Sequence, residues 1–565
     1  MKTRNYILCI LMLLSVVVHA QILEKEVVFD LDKREAGTAA INGYPNDIVV
    51  DDVKKQFELV YVTKAKKKYL VKNRIVFDYD LNHLTTIKDE IDMSGTAEDG
   101  PSVEIAKSNP NFRGEHIVQT SLQLTTTLAS TYKLEKTEVT MDYDWTSGQY
   151  NSKVKVLEEV KAKTLFGKVM YNPYTTHYNN PLTGDLIYVN GVIEKTFSTT
   201  GFKISRVTPD LEKTDVDMIE FSYYQKFFDG GFITNEEGLQ DKILIFAAAG
   251  GKGVYKPKNN QSPNANEWTF VRLGPNGKIK GRASFQTKVN NWNILGAVLK
   301  DGSVYVYGPG ETKGVNEEHQ KLMAIIGTGK QDAFQILKVT GNKTDFVAGP
   351  TLDAMNAVAS KPANQKKIIE YDGRKVEFRN FNFATNGDMF ISAQDYSKDA
   401  RTTMPLYKDF FMFHFGKDGS FKRLYGIESV KDKSGLAGAV DPNTDPRFYP
   451  DNGEVFQGKG GAMYWNIYGV NRVDKYVSSW TSGNYEYTQT TWIPRLTGAI
   501  AKFDVASGSI DEVKEFGDGE FTLYNIPAIG TPSIAIENGT KKIYIGNGGT
   551  KGRQIWLGKM DPSKL

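Results

Sequence analysis

The chain has 565 residues, 40% of them hydrophobic and 12% aromatic, enough to bury a large core and too many for wholesale disorder. Its 70 basic and 67 acidic side chains nearly cancel, so no net field draws nucleic acid, and 52 glycines against 20 prolines suit tight turns rather than a collagen-like chain. Cys9 is the single cysteine, which excludes a disulfide framework and leaves any chain processed beyond it without a thiolate nucleophile or cysteine metal ligand.

The N-terminus reads as an export signal. Lys2 and Arg4 are its charged start, 7–18 an apolar run too short to span a bilayer, and Val18-His19-Ala20 its cleavage point. The expected division is therefore a signal at 1–20 and one domain at 21–565, in the periplasm, at the outer membrane or outside the cell. A mature chain beginning at Gln21 resembles exported proteins of Bacteroidota. No later segment reaches membrane-spanning length.

Next come a strand candidate at 22–32, a turn-rich link at 37–46, and a hairpin of 57–63 with 69–80, rich in Val, Ile, Tyr and Phe. The basic run Lys64-Ala65-Lys66-Lys67-Lys68 fits a solvated strand edge. Residues 89–113 read as a long polar loop, and 117–171 as β-rich but irregular.

From residue 184 one phrase recurs: a Gly- or Lys-led turn feeding a short strand of aromatic and branched residues. Its onsets are Gly184, Lys242, Gly302, Gly387, Gly461 and Lys541, spaced 58 to 85 residues apart. The clearest copy is Asp301-Gly302-Ser303-Val304-Tyr305-Val306-Tyr307-Gly308. Recurrence of this kind marks a repeat architecture whose units bury their faces against one another. The phrase is expected to open each unit. Glycine turns at 273–279, 415–421 and 503–510 are expected to join the outer strands. Helical periodicity is confined to a short loop helix at Leu352, Met355 and Val358.

These features together resemble a β-propeller with degenerate kelch-like repeats. Ile243-Leu244-Ile245-Phe246 leads to Gly250-Gly251, Tyr255 and Trp268; Ile543-Tyr544-Ile545 leads to Gly548-Gly549 and Trp556. Other units depart from that pattern: Gly308-Pro309-Gly310 breaks the doublet, and the unit at 387 has none. The resemblance implies an all-β ring, seven blades preferred with eight as the alternative. The short last unit would be completed by Val27-Val28-Phe29, which removes an exposed sheet edge.

Specific catalytic motifs are missing from the sequence. Beyond His19 the histidines are His83, His116, His177, His319 and His414, with no pair at zinc-ligand spacing. His414, between Phe413 and Phe415, fits a core hydrogen bond, and His177, in a polar aromatic stretch, is the best lone site candidate. No G-x-S-x-G elbow or complete phosphate loop occurs. Asp441, Asn443 and Asp445 alternate oxygen ligands of the kind calcium takes; no other cofactor is indicated. Tyr476, Trp480, Tyr485, Tyr487 and Trp492 lie among amides and hydroxyls, a composition suited to stacking on sugars or anchoring a protein, and 478–487 reads as an exposed loop. Asp142, Asp144, Asp395, Asp474 and Glu486 are carboxylates a ring could bring together for glycoside chemistry.

On balance the sequence favours an exported, non-catalytic propeller binding a protein or glycan partner. Its alternatives are a carbohydrate-active hydrolase or lyase at the central mouth, and a subunit of a cell-envelope complex. Oligomeric state is not encoded in any motif.

Overall fold

A computed structural model describes residues 22–31, 45, 47–66, 69–92, 117–127, 133–144, 149–161, 164–165, 168–169, 174–180, 183, 185–192, 199–208, 212–248, 267–312, 331–398, 405–428, 455–458, 462–482, 485–516, 522–523, 533–548 and 554–564. The fold is all-β and propeller-like, a succession of antiparallel meanders of about four strands. The first is Asp47–Asp51, Gln56–Lys66, Tyr69–Asp78 and His83–Asp92. A three-stranded sheet follows at 117–161. In the next, seven-stranded sheet, the 22-residue strand Lys213–Thr234 serves two meanders: its 213–220 part pairs with Thr199–Val207 and its 225–234 part with Gln240–Ala248. Then come Gly296–Lys300, Ser303–Gly310, Ala333–Thr340 and Lys343–Ala348, followed by Val376–Phe383, Met389–Lys398, Pro405–Phe415 and Phe421–Ile427. The last sheet has ten strands; Thr522–Leu523 bridges its two parts, 455–516 and 533–560.

Both faces of most sheets are apolar because each packs on a neighbour before and after it. Ile243, Ile245 and Trp268 meet Val304, Val306 and Leu337; Phe334 and Ile336 meet Ile391 and Phe413; Phe390 and Met412 meet Trp465 and Phe503. Each such side chain, fully buried, contributes about 1.5–3 kcal/mol by leaving water. One cluster joins the first sheet to the last, with Phe57, Leu59 and Phe77 against Ile534, Ile543 and Leu557. As expected, the N-terminal strand Lys25–Asp30 completes the last sheet: Val27, Val28 and Phe29 pair with Leu557, Trp556 and Ile555.

The recurring phrase takes a different place from the expected one. Leu186–Val192, Gln240–Ala248, Ser303–Gly310, Met389–Lys398, Met463–Ser482 and Lys541–Gly548 are each the second strand of their meander, not the first. A second strand has a partner on each side and a sheet on each face, so most of its side chains are apolar. Leu186–Val192 is buried over six of its seven residues. The strand that opens each unit lies at an edge and is half-exposed, as in Gly296–Lys300, and carries too little pattern to read. The glycine turns at 273–279, 415–421 and 503–510 do join third and fourth strands, and a helix spans Leu352–Asn356. The long loop begins later than expected, because His83–Asp92 is a strand.

A buried aspartate opens several of these second strands and ties down the strands beyond it. Asp241 is fully buried and accepts from Asn235, from Arg272 Nε at 2.6 Å and from Lys280 Nζ at 3.2 Å. Asp388 holds His414 Nε2 at 2.9 Å and Lys422 Nζ at 2.8 Å, and Asp185 holds Arg206 at 2.8 Å. His414 is thus the core hydrogen-bonding residue expected of it, fully buried and stacked 4.4 Å from Phe390. Burial holds its imidazolium form down despite the Asp388 carboxylate.

The connector into the 296–348 meander crosses so close to Gly308 that a Cβ there would lie 1.9 Å from the Asn293 carbonyl oxygen. Backbone cannot move aside as a flexible side chain can. Gly308→Ala is therefore expected to cost about 3 kcal/mol or more, read as a shift in the denaturant midpoint; a loss under 1 kcal/mol would show that the connector yields.

Candidate functional site

Two groups of side chains combine perturbed titration with access to solvent. The first lies at the end of the 376–427 sheet where its opening strand begins. The ladder between Met389–Lys398 and Pro405–Phe415 pairs Gln394 with Phe410 and Tyr396 with Tyr407. Asp395 thus faces two residues, Lys408 and Asp409, across a β-bulge, a device that re-aims side chains. Gln394, fully buried, donates from Nε2 to the Lys408 carbonyl at 3.1 Å and so satisfies one backbone group beside the bulge. On its other side Asp395 pairs with Val376, and the Tyr396 N–H donates to the Lys375 carbonyl at 2.8 Å.

Asp395 is half-buried, and its Oδ1 is shielded from solvent without a hydrogen-bond partner. Its pKa is pushed up to about 6, first by burial and then by the charge of the Asp409 carboxylate; the Asp409 backbone N–H and Lys408 offset only part of this. A carboxyl group of this kind holds its proton into the mildly acidic range and can donate it. Of the carboxylates considered from sequence, Asp395 is the one whose side chain is described; those of Asp142, Asp144, Asp474 and Glu486 are not among the described side chains. What the sequence hides is the register that sets Asp409 against it.

The second group surrounds His177, in the opening strand Tyr174–Asn179 rather than in a loop. His177 is exposed, its neighbour Thr176 is buried, and the Thr176 hydroxyl lies 3.5 Å from Asp229. Asp229 accepts from Lys242 Nζ at 2.6 and 2.7 Å. Desolvation of part of the ring, and then the Lys242 charge, hold the His177 imidazolium form down, so the ring stays neutral to below its ordinary titration range. Burial also lowers the pKa of Lys242 against the opposing effect of Asp229.

The aromatic candidates prove to lie on a ribbon, not a loop. Met463–Ser482 and Tyr485–Asp504 pair along their full lengths, with Trp480 opposite Tyr487, Ser482 opposite Tyr485 and Tyr476 opposite Thr491. Directly opposed residues share a face, so Tyr476, Trp480, Tyr485 and Tyr487 fall on one face of the ribbon and Trp492, opposite Lys475, on the other. Asp441, Asn443 and Asp445 lie outside the described residues, as do the N-terminal signal and His116 and His319. Among the described residues no group of three or more His, Cys, Asp or Glu could hold a metal, and no helix is long and apolar enough to cross a membrane.

No family model matches the chain, and no curated protein matches it. Solved structures similar to it include the Penicillium chrysogenum alpha-L-arabinanase complexed with arabinobiose, at 12% identity over 69% of this chain and 93% of that one, TM-score 0.21. The Pseudomonas brassicacearum lignostilbene dioxygenase is 13% identical over 88% and 93%, TM-score 0.24. The exo-beta-1,3-galactanase from Clostridium thermocellum is 9% identical over 78% and 93%, TM-score 0.23. All three are enzymes, and the expectation of a non-catalytic binding module is corrected accordingly. Likeness at these scores does not identify a reaction, which has to be sought in the residues themselves.

Proposed function

We propose that this protein is a carbohydrate-active hydrolase in which Asp395 is the general acid and Asp409 its companion carboxylate. The observation that carries this reading is the half-buried Asp395 carboxyl, with one oxygen unpartnered and its pKa pushed up to about 6. Glycoside hydrolysis needs one carboxyl that still holds a proton near neutral pH and a second that is ionised close by. In the proposed step Asp395 passes its proton to the glycosidic oxygen as the bond from that oxygen to the anomeric carbon breaks. Asp409 takes a proton from the water that adds to that carbon, which completes the hydrolysis.

The wider setting belongs to the same proposal: an exported, closed propeller with kelch-like units and seven blades, whose substrate approaches the ends of the opening strands. Stacking by Tyr476, Trp480, Tyr485, Tyr487 and Trp492 would add sugar contacts along the ribbon, and Asp441, Asn443 and Asp445 would take calcium.

The test is reducing-sugar release from a panel of neutral and acidic polysaccharides between pH 4 and 8. Activity that needs protonated Asp395 should fall as pH rises through about 6. No release from any polysaccharide, or a rate that keeps rising to pH 8, would overturn the assignment.

A further inference from the structure

Gln394 and Asp395 are neighbours in one strand, so their side chains leave it on opposite faces. Gln394 sits opposite Phe410, on the face that packs against Trp465 and Phe503 of the next sheet. Asp395 shares the other face with Ala393 and Ile391, which pack against the preceding sheet. From these two sides they reach one peptide group. The Lys408 carbonyl accepts from Gln394 Nε2 at 3.1 Å, and the N–H of the following residue, Asp409, is directed at the Asp395 carboxyl. A peptide unit is planar, and in the trans form its C=O and N–H point in opposite directions. A grip on the oxygen therefore fixes where the hydrogen points. The bulge makes this possible, because Lys408 and Asp409 have no ladder pair in the strand that carries Asp395.

An amide is an unusual occupant of this apolar face. Gln394 is fully buried and its Oε1 has no partner, so what the side chain supplies there is the bond from Nε2. We infer that Gln394 is a positioning residue of the proposed site: it sets the 408–409 peptide so that a backbone donor meets the Asp395 carboxyl with the Asp409 side chain beside it. The inference rests on the glycan-hydrolase reading for its catalytic meaning and adds to that site the residue that tunes its acid. The Asp409 N–H favours the charged form of Asp395, against burial and the Asp409 charge. Without Gln394 the peptide is free to turn, while the ladder pairs of Tyr407 and Phe410 keep the Asp409 charge close. Asp395 then loses a donor and holds its proton to higher pH.

The test reads the Asp395 carboxyl directly, by ¹³C NMR of the aspartate-labelled full chain titrated between pH 4 and 9, with its signal identified by its loss in Asp395→Asn. Gln394→Met keeps the length and approximate volume of the side chain but has no N–H to donate. It should raise the midpoint by about 0.5–1 pH unit, and the falling limb of hydrolysis should move up with it. Gln394→Leu should act in the same direction. Ser392→Ala is the control: Ser392 is also fully buried on that face and accepts from the Asn380 N–H at 3.2 Å, but it lies opposite Met412, away from the 408–409 peptide. Its loss should leave the midpoint in place. A midpoint unchanged or lowered in both Gln394 variants, or raised equally in Ser392→Ala, would overturn the role. A raised midpoint in a chain that releases no sugar would retire Asp395 as a glycosidic acid and leave Gln394 as the residue that sets its proton affinity.

Discussion

Asp395→Asn is expected to lower glycan hydrolysis by about 10²–10⁴-fold, because an amide holds the shape of the carboxyl but has no proton to give. The same substitution should stabilise the fold at neutral pH. Asp395 binds its proton more tightly folded than unfolded, with a pKa of about 6 against an ordinary 3.8. Its contribution to stability is therefore full below about pH 4 and is lost as pH rises through 6. Each unit of difference corresponds to about 1.4 kcal/mol; with the carboxyl partly open to water, about 2 kcal/mol is expected. Melting curves of the two proteins should thus nearly coincide at pH 4 and separate by pH 8, the Asn variant melting higher. An inactive but more stable variant is what a proton donor kept at a cost to the fold would give. Equal melting temperatures at both pH values, with activity intact, would make Asp395 an ordinary surface carboxylate.

Asp241→Ala should cause the largest loss of stability, about 3–5 kcal/mol. It removes the fully buried partner of Arg272, whose side chain is only 14% exposed, and leaves that guanidinium facing Glu236 at 3.7 Å. Asp388→Ala should cost less, because Lys422 is 41% exposed and can turn to water, which leaves mainly His414 unpaired. The measurement is the denaturant midpoint at constant slope, with the order Asp241→Ala below Asp388→Ala below wild type. The reverse order would show that Asp241 is held by local turn geometry rather than by its cations. The pH dependence around Asp388 has one sign. Burial works against its charge, but hydrogen bonds from Lys422 and His414 leave its pKa below 3.8; burial leaves that of His414 below 6.5. Both groups bind protons less readily folded than unfolded, so the stability they give is present at neutral pH. It is lost as pH falls, first below 6.5 for His414 and then below 3.8 for Asp388.

Much of the architecture is decided locally and is therefore legible. Alternating aromatic and branched residues make strands, and Asn-Gly and Asp-Gly pairs turn them. The Val27-Val28-Phe29 strand matches a last unit that lacks its fourth strand, and His414 between two phenylalanines belongs in a core. The order of strands within a sheet is not local. An edge strand such as Gly296–Lys300 is too exposed to carry a period, so the phrase that looks like a beginning proves to be the second strand. Likewise 478–487 is polar enough to read as a loop, yet each of its strands finds a partner and becomes a ribbon. The candidate site was the least legible part. Asp395 is one acid among 67 until a bulge sets Asp409 against it and burial raises its pKa. His177 is set apart only by the charge of Lys242, 65 residues further along the chain. Composition and period fix what each strand is, but proton affinity depends on what surrounds a side chain, and that is set by register and packing.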